Sequence, residues 1–307
     1  MLYNRRPGSD GEPTSMYPED FDRQIIKVNG VELKVVTGGS GPPLFLLHGF
    51  PQTHLIWHRV APALARGFRL VIPDLRGYGD SQAPPPDPDH RVYSKREMAR
   101  DIVALAEHFE FESFALAGHD RGARVGYRLV LDHPDRVTRF CAIDIIPTLD
   151  VWEQMDAEKA VSQFHWPFLA SGAPLPERII GQDPGLFYRS LLERWAGDFA
   201  RLDARAVAAY LGQYRDPRKI EAQCEDYRAG ATVDRLYDLA DREAGRKLDC
   251  PVRVLWGKGY LGKKAASPID SWRHWADEVS ETAFECGHFI VEEEPELAQS
   301  AMAEFFG

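Results

Sequence analysis

The stretch from Ser113 to Arg128, S-F-A-L-A-G-H-D-R-G-A-R-V-G-Y-R, narrows the possible folds more than any other part of the chain. Phe114 to Ala117 has the length and apolar content of a fully buried strand, and a helix-like pattern begins after Gly122. Between them Gly118 and Gly122 bracket Asp120, which predicts a strand, a sharp turn and a helix. Small residues on both flanks let the backbone turn tightly and lift the central side chain above the sheet, the geometry of a nucleophile elbow. The lifted group here is a carboxylate. An aspartate so placed can attack carbon, and the free N–H groups and dipole of a helix N-terminus favour its ionised form. The plainer alternative is an aspartate that only caps the helix.

Arg121 and Arg124 follow at a spacing of three, on one face of that helix. If the face looks into a pocket, two fixed cations stand beside a nucleophilic anion, which suits a substrate that is itself a carboxylate. A solvated surface pair is the competing reading. The whole chain is acidic, with a formal net charge of −10 over 307 residues. That balance argues against a broad nucleic-acid footprint and leaves small molecules as the expected partners. Cys141, Cys224, Cys250 and Cys286 form no CxxC pair and read as reduced thiols of a cytosol-like compartment. No apolar stretch is long enough for a membrane span, and the polar start lacks a signal peptide's apolar centre. The expectation is a soluble cytoplasmic protein with no membrane or nucleic-acid partner. No phosphate loop or His/Cys ligand cluster is apparent, so no metal or other cofactor is expected.

Taken in order, residues 1–20 read as a flexible arm. Arg23–Val28 and Val31–Val36 alternate around Asn29-Gly30, a dipeptide that favours a hairpin. Leu44–Leu47 is a buried strand ending in His48-Gly49-Phe50-Pro51, a loop whose Phe50 N–H, with that of Arg121, could form an oxyanion hole. Arg69–Ile72 gives another strand, followed by a glycine-bearing loop that a pairing of Asp74 with Arg76 could hold. Residues 83–88 are a proline-rich connector. Ser94–Glu107 has helical periodicity through Met98, Ile102 and Leu105. Val137–Ile146 is a further strand, and from Pro147 to about residue 230 aromatic and helix-like segments run without a strand. Pro251–Trp256 and Ser280–Glu285 resume the sheet. The expected organisation is therefore an α/β core over 21–147 and 231–307, mostly parallel and flanked by helices, with a helical cap inserted over 148–230.

His288 stands just past the last strand, so Asp120, an acid and then His288 occur in the order of nucleophile, acid and base. The usual acid position, after Trp256-Gly257, holds Lys258, Gly259, Tyr260 and Leu261 and no carboxylate until Asp270. Asp144, at the end of the strand before the cap, is the better candidate, because a histidine base needs a partner that fixes its tautomer.

These features resemble the α/β-hydrolase superfamily along nearly the whole chain, and within it the fluoroacetate (haloacetate) dehalogenase family. The likeness is carried by H-G-F-P-Q-T (48–53), D-L-R-G-Y-G-D-S (74–81), G-H-D-R-G-A-R-V (118–125), D-I-I-P-T (144–148), H-W-P-F-L-A (165–170), C-E-D-Y-R-A-G-A (224–231) and G-H-F (287–289). The arginine after the nucleophile discriminates, since related epoxide hydrolases and haloalkane dehalogenases typically carry tryptophan there. The resemblance implies that Asp120 attacks a halogen-bearing carbon, that Arg121 and Arg124 hold the substrate carboxylate, and that His288 with Asp144 activates water to hydrolyse the ester. It further implies a halide cradle of His165, Trp166 and Tyr227, an aromatic wall at Trp195, and a homodimer. From the residues alone, His165, Trp166, Tyr227 and Trp195 read equally as packing. An epoxide hydrolase that uses Tyr210, Tyr214 or Tyr227 as acids is the nearest rival, and a binding protein without turnover is another. Two buried arginines left without an anion would count against the epoxide.

Overall fold

The computed structural model describes residues 16–264 and 267–307. Of the arm expected over 1–20, residues 1–15 lie outside the described residues. Tyr17, within the rest of it, is buried and donates its hydroxyl to the His54 carbonyl at 2.6 Å.

Eight strands form one sheet: β1 (Asp22–Val28), β2 (Val31–Gly38), β3 (Pro43–Leu47), β4 (Arg69–Pro73), β5 (Phe114–His119), β6 (Val137–Ile143), β7 (Val252–Gly257) and β8 (Val279–Phe284). Their order is β1-β2-β4-β3-β5-β6-β7-β8. β1 and β2 are antiparallel additions, and every pairing from β4 to β8 is parallel. Asn29 and Gly30 both have positive φ, 44° and 77°, as a two-residue hairpin turn requires. All six residues of β5 are buried, because helices cover both faces of a parallel sheet and leave no wet side for alternation.

The first helices are α1 (Ala61–Leu64), α2 (Lys95–His108) and α3 (Arg121–Asp132). Ser94 caps α2, its side chain accepting from the Glu97 N–H, and Met98, Ile102 and Leu105 face inward. Between β6 and β7 run α4 (Thr148–Glu153), α5 (Ala157–Ser162), α6 (His165–Leu169), α7 (Leu175–Ile180), α8 (Pro184–Trp195), α9 (Ala204–Gly212), α10 (Pro217–Ala231) and α11 (Val233–Glu243). The chain closes with α12 (Ile269–Arg273), α13 (Ile290–Glu293) and α14 (Pro295–Phe306). α3 packs on β5 and β6, with α2 beside it.

Two details depart from the sequence reading. β6 stops at Ile143 rather than Ile146: the Asp144 N–H still donates to the Leu255 carbonyl at 2.8 Å, but its backbone turns to φ 57° and carries the chain out of the sheet. Asp74 and Arg76 do not pair with each other. Asp74 accepts from the N–H and Nδ1 of His54 (2.7 and 2.8 Å) and from the Asp80 N–H (2.9 Å). Arg76 instead forks onto Asp101 of α2, at 2.7 and 2.5 Å. Each finds a nearer partner on a different element, so the loop is anchored at two points rather than cross-tied. Among the described residues no helix is long and apolar enough to cross a membrane.

Candidate active site

The elbow forms where β5 hands over to α3. Asp120 adopts φ 45° and ψ −114°, a conformation that a side-chain-bearing residue holds only when its surroundings impose it. A Cβ on Gly118 would lie 2.6 Å from the Ala123 nitrogen, and one on Gly122 would lie 2.5 Å from the His48 carbonyl oxygen. Both positions are therefore closed to larger residues. The Phe50 N–H donates to Asp120 Oδ1 at 2.9 Å, leaving Oδ2 as the free oxygen.

Asp120 Oδ2 lies 4.0 Å from His288 Nε2, outside hydrogen-bond reach. On the other side of the imidazole, Nδ1 meets Asp144 Oδ2 at 2.5 Å, while Asp144 Oδ1 accepts from the Gly257 N–H at 2.8 Å. Asp270 makes no contact with this arrangement: it is exposed and pairs with Arg273 on its own helix. Burial opposes the ionisation of Asp120, but the neighbouring His288, Arg124 and Arg121 together hold its carboxyl below the usual range. Burial also pulls His288 down to about 4, so at neutral pH it is an unprotonated base, and it pushes the Asp144 carboxyl up against the pull of the Gly257 N–H.

The two arginines differ. Arg121 is fully buried and forks onto Asp226 of α10, with Nε on Oδ2 at 3.0 Å and Nη2 on Oδ1 at 2.7 Å, and Nη2 also donates to the Asp226 carbonyl at 2.7 Å. The expected pair of unopposed cations is thus corrected to one. Arg124 donates to the Ile146 carbonyl and to Thr148 Oγ1, at 3.0 and 3.2 Å, and has no carboxylate within ion-pair distance among the described residues. Arg121 Nη1 and Arg124 Nε are buried without a partner. Both guanidinium groups lie against the Trp166 ring, at 5.4 and 4.6 Å from its centroid.

His165, Trp166 and Tyr227 come together, with ring centroids 5.5 to 6.4 Å apart. His165 Nδ1 is buried without a partner, and burial lowers its pKa to about 3, so the ring is neutral. Trp195 stands 4.6 Å from His165 and 5.7 Å from His288, and Phe50 is 5.2 Å from Tyr227, so both line the same space. Of the tyrosines an epoxide reaction could recruit, Tyr210 donates to Glu292 and Tyr214 to the Pro51 carbonyl, both at 3.0 Å. Of these three, the Tyr227 hydroxyl is the one with no protein hydrogen-bond partner among the described residues. No group of three or more His, Cys, Asp or Glu there is placed to hold a metal ion.

Four residues of this site escape a sequence reading. Asp226 sits beside Tyr227 inside a motif that marks likeness, yet nothing local says which cation it meets. His119 holds the His288 carbonyl through Nε2 at 2.8 Å. Tyr260 lies 4.3 Å from the His288 ring, in the loop that lacks the usual acid. Glu293 accepts from the N–H groups of Gly197, Asp198, Gly287 and Phe289 at 2.8 to 3.2 Å, fixing the histidine loop against the end of α8. Its neighbours Glu292 and Glu294 are also acidic, so the sequence carries no signal that singles it out.

Comparison with known proteins agrees with this geometry. A Burkholderia sp fluoroacetate dehalogenase is 42% identical over 291 residues, which is 94% of each chain. A Corynebacterium sp soluble epoxide hydrolase is 32% identical over 283 residues, 91% of this chain and 95% of that one. The crystal structure of the protein ALR0039 of Nostoc sp PCC 7120 superposes with a TM-score of 0.91 at 44% identity, covering 94% of this chain and 98% of that one. Residues 42–295 match the alpha/beta hydrolase fold family. Since that span contains the parallel strands, the elbow and the late histidine, the chain belongs to the α/β-hydrolase family.

Proposed function

We propose that this chain is a hydrolytic dehalogenase converting fluoroacetate and other short 2-haloacids to the 2-hydroxy acid and halide. The observation that carries the reading is Arg124, a buried cation with no carboxylate within ion-pair distance among the described residues, beside an ionised Asp120 held by the Phe50 N–H. A haloacid supplies the missing anion, whereas an uncharged epoxide leaves it missing at a cost of several kcal/mol. The Burkholderia relative named as a fluoroacetate dehalogenase points the same way.

In this reaction Asp120 Oδ2 attacks the halogen-bearing carbon, the carbon–halogen bond breaks, and halide leaves with its electron pair. His165, Trp166 and Tyr227 offer N–H and O–H donors to the departing ion. Fluoride is a poor leaving group but a compact acceptor, so donors aimed at the developing charge act mainly in the transition state. Each such donor is worth about 3 kcal/mol of barrier, by analogy with an oxyanion hole. His288 then takes a proton from water, the hydroxide adds to the aspartyl carbonyl carbon, and Asp144 steadies the imidazolium. The charge that develops on Oδ1 meets the Phe50 N–H, with the Arg121 N–H at the helix start as the second donor. As the adduct collapses, the imidazolium gives its proton to the departing oxygen, and release of the hydroxy acid restores the Asp120 carboxylate, with one oxygen from water.

The test is incubation of the purified protein with fluoroacetate and chloroacetate, following halide and glycolate. Asp120→Asn should release no halide, and His288→Asn should accumulate the covalent ester, visible as a mass increase. Arg124→Leu should lower haloacid turnover at least a hundredfold, far more than it lowers any epoxide opening. Absence of halide release by the parent chain, or equal loss for both substrate types, sinks the reading. The Corynebacterium relative keeps epoxide opening as the second reading, with Tyr227 as its candidate acid.

A further inference from the structure

We propose that Asp226 is a positioning residue that keeps the Arg121 guanidinium away from the Asp120 nucleophile and presents its free edge to the substrate. The proposal rests on the dehalogenase reading above and deepens it. Arg121 directly follows Asp120, so its cation has the nucleophile as a natural partner. What prevents that pairing is a slot built by α10. Asp226 grips the Nε and Nη2 edge, the Tyr227 ring lies 4.1 Å from the guanidinium carbon, and a Cβ on Gly230 would stand 3.4 Å from Nη2. Among the described residues, Nη1 is the guanidinium nitrogen left without a partner.

Asp226 is itself held by two groups besides Arg121. Tyr78 donates its hydroxyl to Oδ2 at 2.6 Å, Lys95 Nζ contacts Oδ1, and Lys95 also pairs with Asp234 at 3.1 Å. Two cations and two anions, all buried, therefore form a neutral set. In this arrangement Arg121 needs no charge from the substrate and serves as a fixed donor, while Arg124 attracts the substrate anion. Because Asp226 and Tyr227 are consecutive, one helix turn sets both the carboxylate donor and the halide donor. A misplacement of about 1 Å in such a clamp is enough for a hundredfold loss.

The test uses full-length protein in the His288→Asn background, where the ester accumulates, with chloroacetate as the probe. Asp226→Asn frees Arg121 to pair with Asp120, so ester formation at saturating chloroacetate should slow at least tenfold while the half-saturating concentration stays equal or falls. Simple loosening of structure would instead raise that concentration. Asp226→Glu and Tyr78→Phe, which keep the charge, should slow it at least threefold and serve if the asparagine variant does not fold. A rate within twofold of the parent in any variant that folds overturns the proposal. Exchange of the Arg121 Nε–H, identified by its loss in Arg121→Leu, supplies a readout independent of turnover. It should be slow in the parent chain and fast in Asp226→Asn, and equal exchange overturns the proposal even if the parent forms no ester. No ester in the parent together with the expected exchange difference sinks the dehalogenase reading alone.

Discussion

Glu292 is a single buried group that makes folding stability depend on pH. Gln52 Nε2 and the Tyr210 hydroxyl, the latter at 3.0 Å, donate to its carboxyl, and burial pushes its pKa up to about 8. In the unfolded chain the same group ionises near its ordinary value of about 4.3. The folded form therefore holds a proton that the unfolded form releases, and stability is fully present below the unfolded pKa and declines as pH rises toward 8. Glu292→Gln removes that liability. The variant should be more stable than the parent at pH 8, by an amount on the order of 5 kcal/mol, and nearly equal to it at pH 4.5. Gln52 Oε1, buried without a partner, can take the new amide N–H once the Gln52 amide turns over. Melting curves at the two pH values check this, and a difference that does not change with pH would refute it.

At the level of elements, the turn from β5 into α3 is the most tightly specified part of the chain. Gly122 lies under the end of β3, where a Cβ would sit 2.5 and 2.6 Å from the carbonyl oxygens of His48 and Leu47. Backbone cannot yield as a flexible side chain can. Gly122→Ala should therefore destabilise the protein by about 3 kcal/mol, at the upper end for overpacking, and displace Asp120 from the Phe50 N–H. A urea midpoint unchanged from the parent would count against this account. The same local density explains why β5, the hairpin at Asn29-Gly30 and the late histidine were legible in the sequence. Each is dictated by residues within a few positions of one another. Asp144 was legible by elimination, once the loop after β7 was seen to lack a carboxylate. The end of β6 was not, because the turn at Asp144 is imposed by a bond to Gly257, 113 positions away. Nor were the partners of Asp74, Arg76 and Arg121, since a charge on one element cannot announce which distant element will bury against it.

The same long-range bonds decide how the molecule as a whole comes apart. The helices over 148–230 read from sequence as an inserted cap, yet their polar groups, and those of α11 that follows them, reach into the rest of the chain. Arg128 of α3 pairs with Asp238 and Asp241 of α11 at 2.9 and 2.5 Å, and Tyr127 donates to Asp238 at 2.8 Å. Gln213 and Tyr214 both donate to the Pro51 carbonyl next to Phe50, and Glu293 of α13 accepts the N–H groups of Gly197 and Asp198. Opening this segment alone would strand buried charges on both sides, and breaking a buried pair costs about 3–5 kcal/mol. We therefore expect one cooperative transition rather than two. Tryptophan fluorescence reports on both parts, through Trp152, Trp166 and Trp195 in the inserted helices and Trp57, Trp256, Trp272 and Trp275 elsewhere. In urea it should coincide with the far-ultraviolet circular dichroism. Glu293→Ala should move the shared midpoint down without splitting it, because the four N–H groups it leaves unpaired belong to both sides of the contact. Two separated midpoints in the parent chain would mean that the inserted helices unfold on their own, and that the geometry around Asp120 depends on a docking equilibrium rather than on a single folded state.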